Sequence, residues 1–235
     1  MNSHYVNLER GESMPYVVVL EMIYKFMKNY NYLVVDPVTR QSVIVDPAWQ
    51  MEKVDQALVD TQSRLSGILI THSHPDHIHL AKVLAEKYSC PIWMSKTEIA
   101  VSGFNAKQLV GIDDTPWCIG NMLIEPIFTP GHTAGCICYR IGDNLFTGDV
   151  LFAEGCGICP DIDAAHAMFT SLEQLKAQLR LKTRIFPGHS YGKLPGQLFS
   201  QLLQDNMYLQ FLDKDSFARF RLRSGQNKAK MFNFS

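Results

Sequence analysis

Apolar residues along this chain recur with two periods. Residues 16–21, 32–35 and 42–45 are rich in Val, Ile and Tyr and are separated by turn formers such as Asp36-Pro37, which predicts an opening antiparallel meander. After Asp46-Pro47 the pattern lengthens to helical spacing, with Val54 and Leu58 on one face. It then contracts to the apolar run 67–70, a short buried strand ending at Thr71. Leu80, Val83 and Leu84 predict another helix, 91–94 a strand, and Ser95 with Glu98 a capping box that starts a further helix. From 117 to 147 short strands return, with Gly120-Asn121 and Gly142-Asp143 as hairpin turns. Met168, Leu172, Leu175 and Leu179 step by four, three and four along a helix, and residues 184–186 form a last strand. Meander, βα, meander, αβ implies two sheets packed face to face and covered outside by helices, an α/β chain in four layers.

Size and charge narrow the setting. The chain has 235 residues, 46% of them apolar, which suits one domain over 1–235, with 195–235 as a C-terminal helical extension. Lys and Arg total 22 against 23 Asp and Glu, a net charge of −1, so no strong field draws nucleic acid or an anionic membrane. No run approaches the roughly 18 apolar residues of a membrane span, and the first sixteen residues mix charge and polarity, so a cytoplasmic protein is expected. The six cysteines lack the density of a disulfide scaffold. Cys156 and Cys159 have the spacing of a metal or redox pair, yet buried, inert thiols are the expectation for all six.

Thr71-His72-Ser73-His74-Pro75-Asp76-His77 crowds four metal-capable side chains where a buried strand runs out and a helix begins. Thr129-Pro130-Gly131-His132, Thr147-Gly148-Asp149 and Phe186-Pro187-Gly188-His189 each place one more donor just past an apolar strand. Five of the 8 histidines fall in these four segments, leaving only His4, His79 and His166 elsewhere. Imidazole and carboxylate donors suit zinc, with iron or manganese as alternatives.

H-x-H-x-D-H, then G-H-T, G-D and G-H, in that order, resembles the metallo-β-lactamase superfamily, and the likeness spans most of the chain. The resemblance implies that superfamily's αββα sandwich, one metal ion on His72, His74 and His132, a second on Asp76, His77 and His189, and Asp149 bridging both. Asp76 and Asp149 would be the carboxylates of the catalytic centre. Relatives often carry a Gly pair where this chain has His79-Leu80.

Two bound divalent ions, zinc by expectation, acidify water toward neutral pH, and a thiolate of parent pKa near 8.5 leaves without a strong general acid. A thioester hydrolase is therefore expected. Residues 147–152, Gly155-Cys156-Gly157 and Pro187–Tyr191 resemble glyoxalase II, the hydroxyacylglutathione hydrolases, in which Tyr191 would match a thiol-binding position. Where that branch has basic and aromatic residues after G-C-G, this chain has Ile158-Cys159-Pro160. Residues 206–210 through 217–223 resemble the zinc hydrolases of bacterial trans-acyltransferase polyketide synthase clusters, which implies acyl thioesters on a carrier protein, with coenzyme A and glutathione as the alternative thiols. Arg219, Arg221, Arg223, Lys228 and Lys230 would then steer an acidic acyl carrier protein, against the simpler reading of a solvated basic terminus. The rival of another class is a mononuclear-iron persulfide dioxygenase. A fold-stabilising metal module would have lost a ligand, and a nuclease would need a basic groove.

Overall fold

The computed structural model describes residues 4–6 and 14–224. Strands β1 (His4–Val6), β2 (Tyr16–Tyr24), β3 (Met27–Val35), β4 (Gln41–Val45), β5 (Arg64–Leu69), β6 (Ile92–Ser95) and β7 (Leu109–Ile112) form one sheet in that order. It is antiparallel up to β4 and parallel from β4 to β7. Strands β8 (Trp117–Ile119), β9 (Met122–Phe128), β10 (Ile137–Ile141), β11 (Asn144–Gly148), β12 (Arg184–Pro187) and β13 (Gln197–Leu198) form the second, ordered β13-β12-β11-β10-β9-β8. The helices are α1 (Met51–Thr61), α2 (Pro75–Ile78), α3 (Ala81–Tyr88), α4 (Lys96–Ser102), α5 (Ile162–Gln178), α6 (Phe199–Asp205) and α7 (Lys214–Arg221). None is long and apolar enough to cross a membrane, among the described residues.

Three apolar layers separate these elements. Between the sheets lie Tyr32, Val34, Val43, Leu69, Tyr139, Phe146 and Phe186. Leu33, Ile44, Ile68 and Ile92 face α1 and α3 on the other side of the first sheet, and Cys138, Leu145 and Ile185 face α5 to α7 behind the second. Neighbours along β3 thus go to opposite layers, both dry, so its second half reads as an unbroken apolar run. Burying Phe146 or Phe186 contributes about 1.5–3 kcal/mol each. The αββα sandwich is the observed architecture.

Several boundaries differ from the sequence pattern. Strand β3 starts five residues before 32 because Asn29 and Asn31 interrupt its apolar run without interrupting the strand. Asn31, fully buried, donates to Asp46 O at 2.6 Å and accepts from Ala48 N at 2.9 Å. Val83 is 43% exposed, because α3 buries Ala81, Leu84 and Ala85 and begins after Leu80. Leu179 is extended and caps α5 instead of belonging to it. Both hairpin turns are as expected, with Gly120 and Gly142 at φ +58° and +61°. The segment after 195 opens with β13 before its helices.

Two expectations need correction. Arg221 is buried and donates from Nε to Gly157 O at 2.7 Å, so it braces the loop after β11 and cannot serve as a surface cation. Arg219 and Arg223 are exposed, while Lys228 and Lys230 lie outside the described residues, as does the side chain of His4. The expectation of six buried thiols fails at Cys118, which is exposed, whereas Cys156 and Cys159 lie in the layer under α5, where burial raises both thiols, Cys159 to about 11, and makes them the inert pair expected.

Candidate metal centre

All four donor segments follow strand ends at one edge of the sandwich. His72 and His74 leave β5, and α2 begins at once with Pro75 at its first position, presenting Asp76 and His77. His132 follows β9, Asp149 follows β11 and His189 follows β12. The two sheets are tied here backbone to backbone: Ile137 N donates to Thr71 O at 3.0 Å, and Tyr30 N to Gly188 O at 2.9 Å. Glycine is required where these loops touch. Gly148 turns at φ +48°, and a Cβ there would lie 2.2 Å from Thr71 Oγ1; one on Gly188 would lie 2.5 Å from His77 Cε1.

His72, His74 and His132 converge. His74 Nδ1 is 3.0 Å from His72 Nε2 and 2.9 Å from His132 Nε2. The protons can be assigned from the outer partners. His132 Nδ1 donates to Ile158 O at 2.8 Å, since a carbonyl only accepts, so its Nε2 is the nitrogen turned toward His74. Thr71 Oγ1 gives its proton to Asp46 Oδ2 at 2.6 Å and so accepts from His72 Nδ1 at 3.0 Å, leaving the Nε2 of that ring bare when it is neutral. Burial and the neighbouring imidazoles hold His72 well below the usual histidine pKa and lower His74 as well. Neutral rings with inward lone pairs are the form a cation needs.

The second cluster is carboxylate-rich. His77 Nδ1 donates to Asp46 Oδ2 and His189 Nδ1 to Lys28 O, each at 2.9 Å. Their Nε2 atoms and Asp149 Oδ1 are buried without a hydrogen-bond partner. These atoms face one another: Asp149 Oδ1 is 3.4 Å from His77 Nε2 and 3.6 Å from His189 Nε2, and Asp76 Oδ2 is 3.3 Å from His189 Nε2. Asn29 Nδ2 holds Asp76 Oδ2 at 3.0 Å. The other oxygen of Asp149, Oδ2, points to the first cluster, 3.6 Å from His132 Nε2.

Buried acceptors gathered at such distances repel unless a positive charge sits among them. Without a metal ion that charge falls on His77: burial disfavours its cation, but Asp149, Asp46 and Asp76 overcome this and raise its pKa to about 10. The same cations lower the Asp76 and Asp149 carboxyls against their burial. Donor atoms of His72, His74 and His132, and of Asp76, His77 and His189, lie within 4.8 Å of one another in each group. The two donor groups are compatible with a dinuclear metal site, and Asp149 lies between them. Asp46, although grouped with His72 and His77, already accepts from Thr71 N, Thr71 Oγ1 and His77 Nδ1 and is therefore a brace.

The centre opens into a cleft of about 580 Å³, with His74, Asp76, His132 and Asp149 at its floor and Met27, Phe152, Ile158, Pro160 and Tyr191 on its walls. Tyr191 meets the Phe152 ring edge-on at 5.3 Å, and burial raises its phenol pKa. His79 turns away from the donors and packs on Trp49 at 4.8 Å.

Residues 27–189 match the metallo-beta-lactamase superfamily. The chain belongs to the metallo-β-lactamase superfamily. Within it, the chain is 40% identical over 217 residues to the "Probable polyketide biosynthesis zinc-dependent hydrolase BaeB" of Bacillus velezensis, covering 92% of this chain and 96% of that one. It is 34% identical over 201 residues to the hydroxyacylglutathione hydrolase of Pelagibacter ubique, covering 81% and 79%. In fold it resembles a metallo-beta-lactamase of Staphylococcus aureus, with a TM-score of 0.81 at 22% identity over 92% of this chain and 70% of that one.

This superfamily member also relies on residues that the motifs leave silent. Asp46 closes β4 just as the donors close other strands, and that parallel was its available signal. Asn29 sits in a buried strand, where a polar residue needs a partner. Glu98 is legible only as half of a cap: Ser95 Oγ accepts from Glu98 N, but the carboxylate turns inward instead of returning the bond. Lys28 and Ile158 act through main-chain carbonyls, which no side-chain pattern reveals.

Proposed function

We propose that this chain is a dinuclear-metal hydrolase that cleaves acyl thioesters. The observation that carries the reading is Asp149, whose two oxygens face two separate donor groups at the floor of an open cleft. His72, His74 and His132 would hold one cation, Asp76, His77 and His189 the other. Zinc is the expected metal, as in the name of the BaeB relative. Such ions supply Lewis-acid polarisation of a carbonyl and acidify water near neutral pH.

The protein's own groups supply position and environment. Asn29 fixes the carboxylate of Asp76 by bonding both its Oδ2 and its main-chain oxygen, each at 3.0 Å, so that one oxygen faces His189. The Ile158 carbonyl fixes the His132 ring. Met27, Phe152, Ile158 and Pro160 offer apolar walls for an acyl chain and exclude water from it. Tyr191, on the cleft wall against Phe152, would contact the thiol portion of the substrate. A thiolate leaves readily at neutral pH, which suits a floor whose carboxyls, Asp76 and Asp149, are held ionised.

Elemental analysis of purified protein, paired with thiol-release assays on lactoylglutathione, acyl coenzyme A and acyl carrier protein, tests this. The expected result is about two zinc per chain and thiol release, fastest from the carrier-linked substrate if Arg219 and Arg223 help to dock an acidic carrier. One iron per chain with oxygen uptake would replace the hydrolase by a persulfide dioxygenase.

A further inference from the structure

We propose that Glu98 is a positioning residue that presets the imidazole half of the metal centre and so controls the affinity of one cation site and not the other. This rests on the dinuclear reading above and adds a division of labour within it.

Glu98 is fully buried in the first turn of α4, yet neither oxygen of its carboxylate is spent on that helix. Oε1 accepts from Ser73 N at 2.9 Å and Ser73 Oγ at 2.5 Å. Oε2 accepts from Thr133 Oγ1 at 2.7 Å and Gly135 N at 3.1 Å. Ser73 stands between His72 and His74, and Thr133 follows His132. One carboxylate therefore joins two loops that share no strand pairing at this point and that together supply three imidazoles. Ser95 Oγ adds a bond to Gly135 O at 2.6 Å, so the turn after His132 is gripped on both its N–H and its carbonyl side. The fit is close: a Cβ on Gly135 would lie 2.2 Å from Glu98 N.

The other three donors are held elsewhere. Asp76 is fixed by Asn29, His77 by Asp46 and His189 by the Lys28 carbonyl. A residue needed only for the fold would weaken both cation sites together, whereas one that orients a single set of rings weakens a single site. Partners behind metal ligands typically change affinity by about 10–100-fold when removed.

The test is chelator titration of zinc-loaded full-length protein, with bound zinc per chain followed by elemental analysis and stepwise cobalt(II) loading followed by visible absorption. Glu98→Gln keeps the volume but faces two of its donors with an N–H₂. The expected result is that one release step moves by about 10–100-fold while the other stays within about threefold. Thr133→Val, which removes one of the four bonds to the Glu98 carboxylate together with the Thr133 contact to Cys136 Sγ and is the milder variant should E98Q fail to fold, moves the same step by a smaller factor. Asn29→Ala moves the opposite step. Equal movement of both steps, or of neither, in E98Q and T133V overturns the assignment while leaving the dinuclear reading intact. Wild-type protein that binds no metal overturns both.

Discussion

Around His72, His74 and His132 every candidate donor is an imidazole, and the positive charge of a cation would be balanced only by Asp149. Around His77 and His189 two carboxylates converge, and in the absence of metal a proton on His77 does the balancing. The first cluster is braced from α4 through Glu98; the second is braced from β3 through Asn29 and the Lys28 carbonyl. Equal numbers of candidate donors thus hide unequal chemistry. The imidazole half needs its rings aimed, because neutral ligands attract a cation weakly from a distance. The carboxylate half attracts a cation readily but has to displace a proton to keep it.

The largest blow to this contrast is Asp149→Ala, which removes the group shared by both halves. Metal content is expected to fall below two per chain and thiol release by about a thousandfold, equivalent to about 4 kcal/mol; wild-type stoichiometry in this variant would remove the bridge. Next is Asp46→Ala. It strips an acceptor from Thr71 N, Thr71 Oγ1 and His77 Nδ1 and so touches both halves. Thermal unfolding of the metal-free protein is expected to show a loss of about 3 kcal/mol, and a variant as stable as wild type would mean that the brace is idle.

Asn29→Ala is narrower. It frees Asp76 and is expected to weaken the carboxylate half by about 10–100-fold with the imidazole half unchanged, read by the same two-step zinc release. The smallest effect is one of pH. In metal-free protein the pKa of His77 is raised from 6.5 to about 10, burial being outweighed by Asp149, Asp46 and Asp76. A raised folded-state pKa gives stability that is present below pH 6.5 and lost as pH climbs through about 10. The raised pKa of His189 acts in the same direction. The melting temperature of metal-free protein is therefore expected to fall between pH 7 and 9.5, while the increment gained on adding zinc grows. Parallel slopes in the two forms would place the proton elsewhere.

The donor set was legible in the chain because its chemistry is local: His72, His74, Asp76 and His77 share one loop, and His132, Asp149 and His189 each follow an apolar strand beside Gly or Pro. The two-sheet order was legible for the same reason, since Gly120 and Gly142 mark turns and the strand runs are short. Less was visible where a residue's role depends on what it meets. Val83 looked inward by spacing, but Ala81 and Ala85 let α3 approach the sheet on another face. Arg221 looked like one more cation of a basic tail until Gly157 O claimed it.

By itself, then, the sequence determined which atoms are available to bind cations and that strand ends deliver them, because ligand type and strand period are properties of neighbouring residues. Only the tertiary structure decided how those atoms are divided, protonated and braced. Glu98 touching both Ser73 and Thr133, or a Lys28 carbonyl setting the tautomer of His189, depends on chain segments up to 161 residues apart being brought within a hydrogen bond of each other. No local pattern encodes that distance.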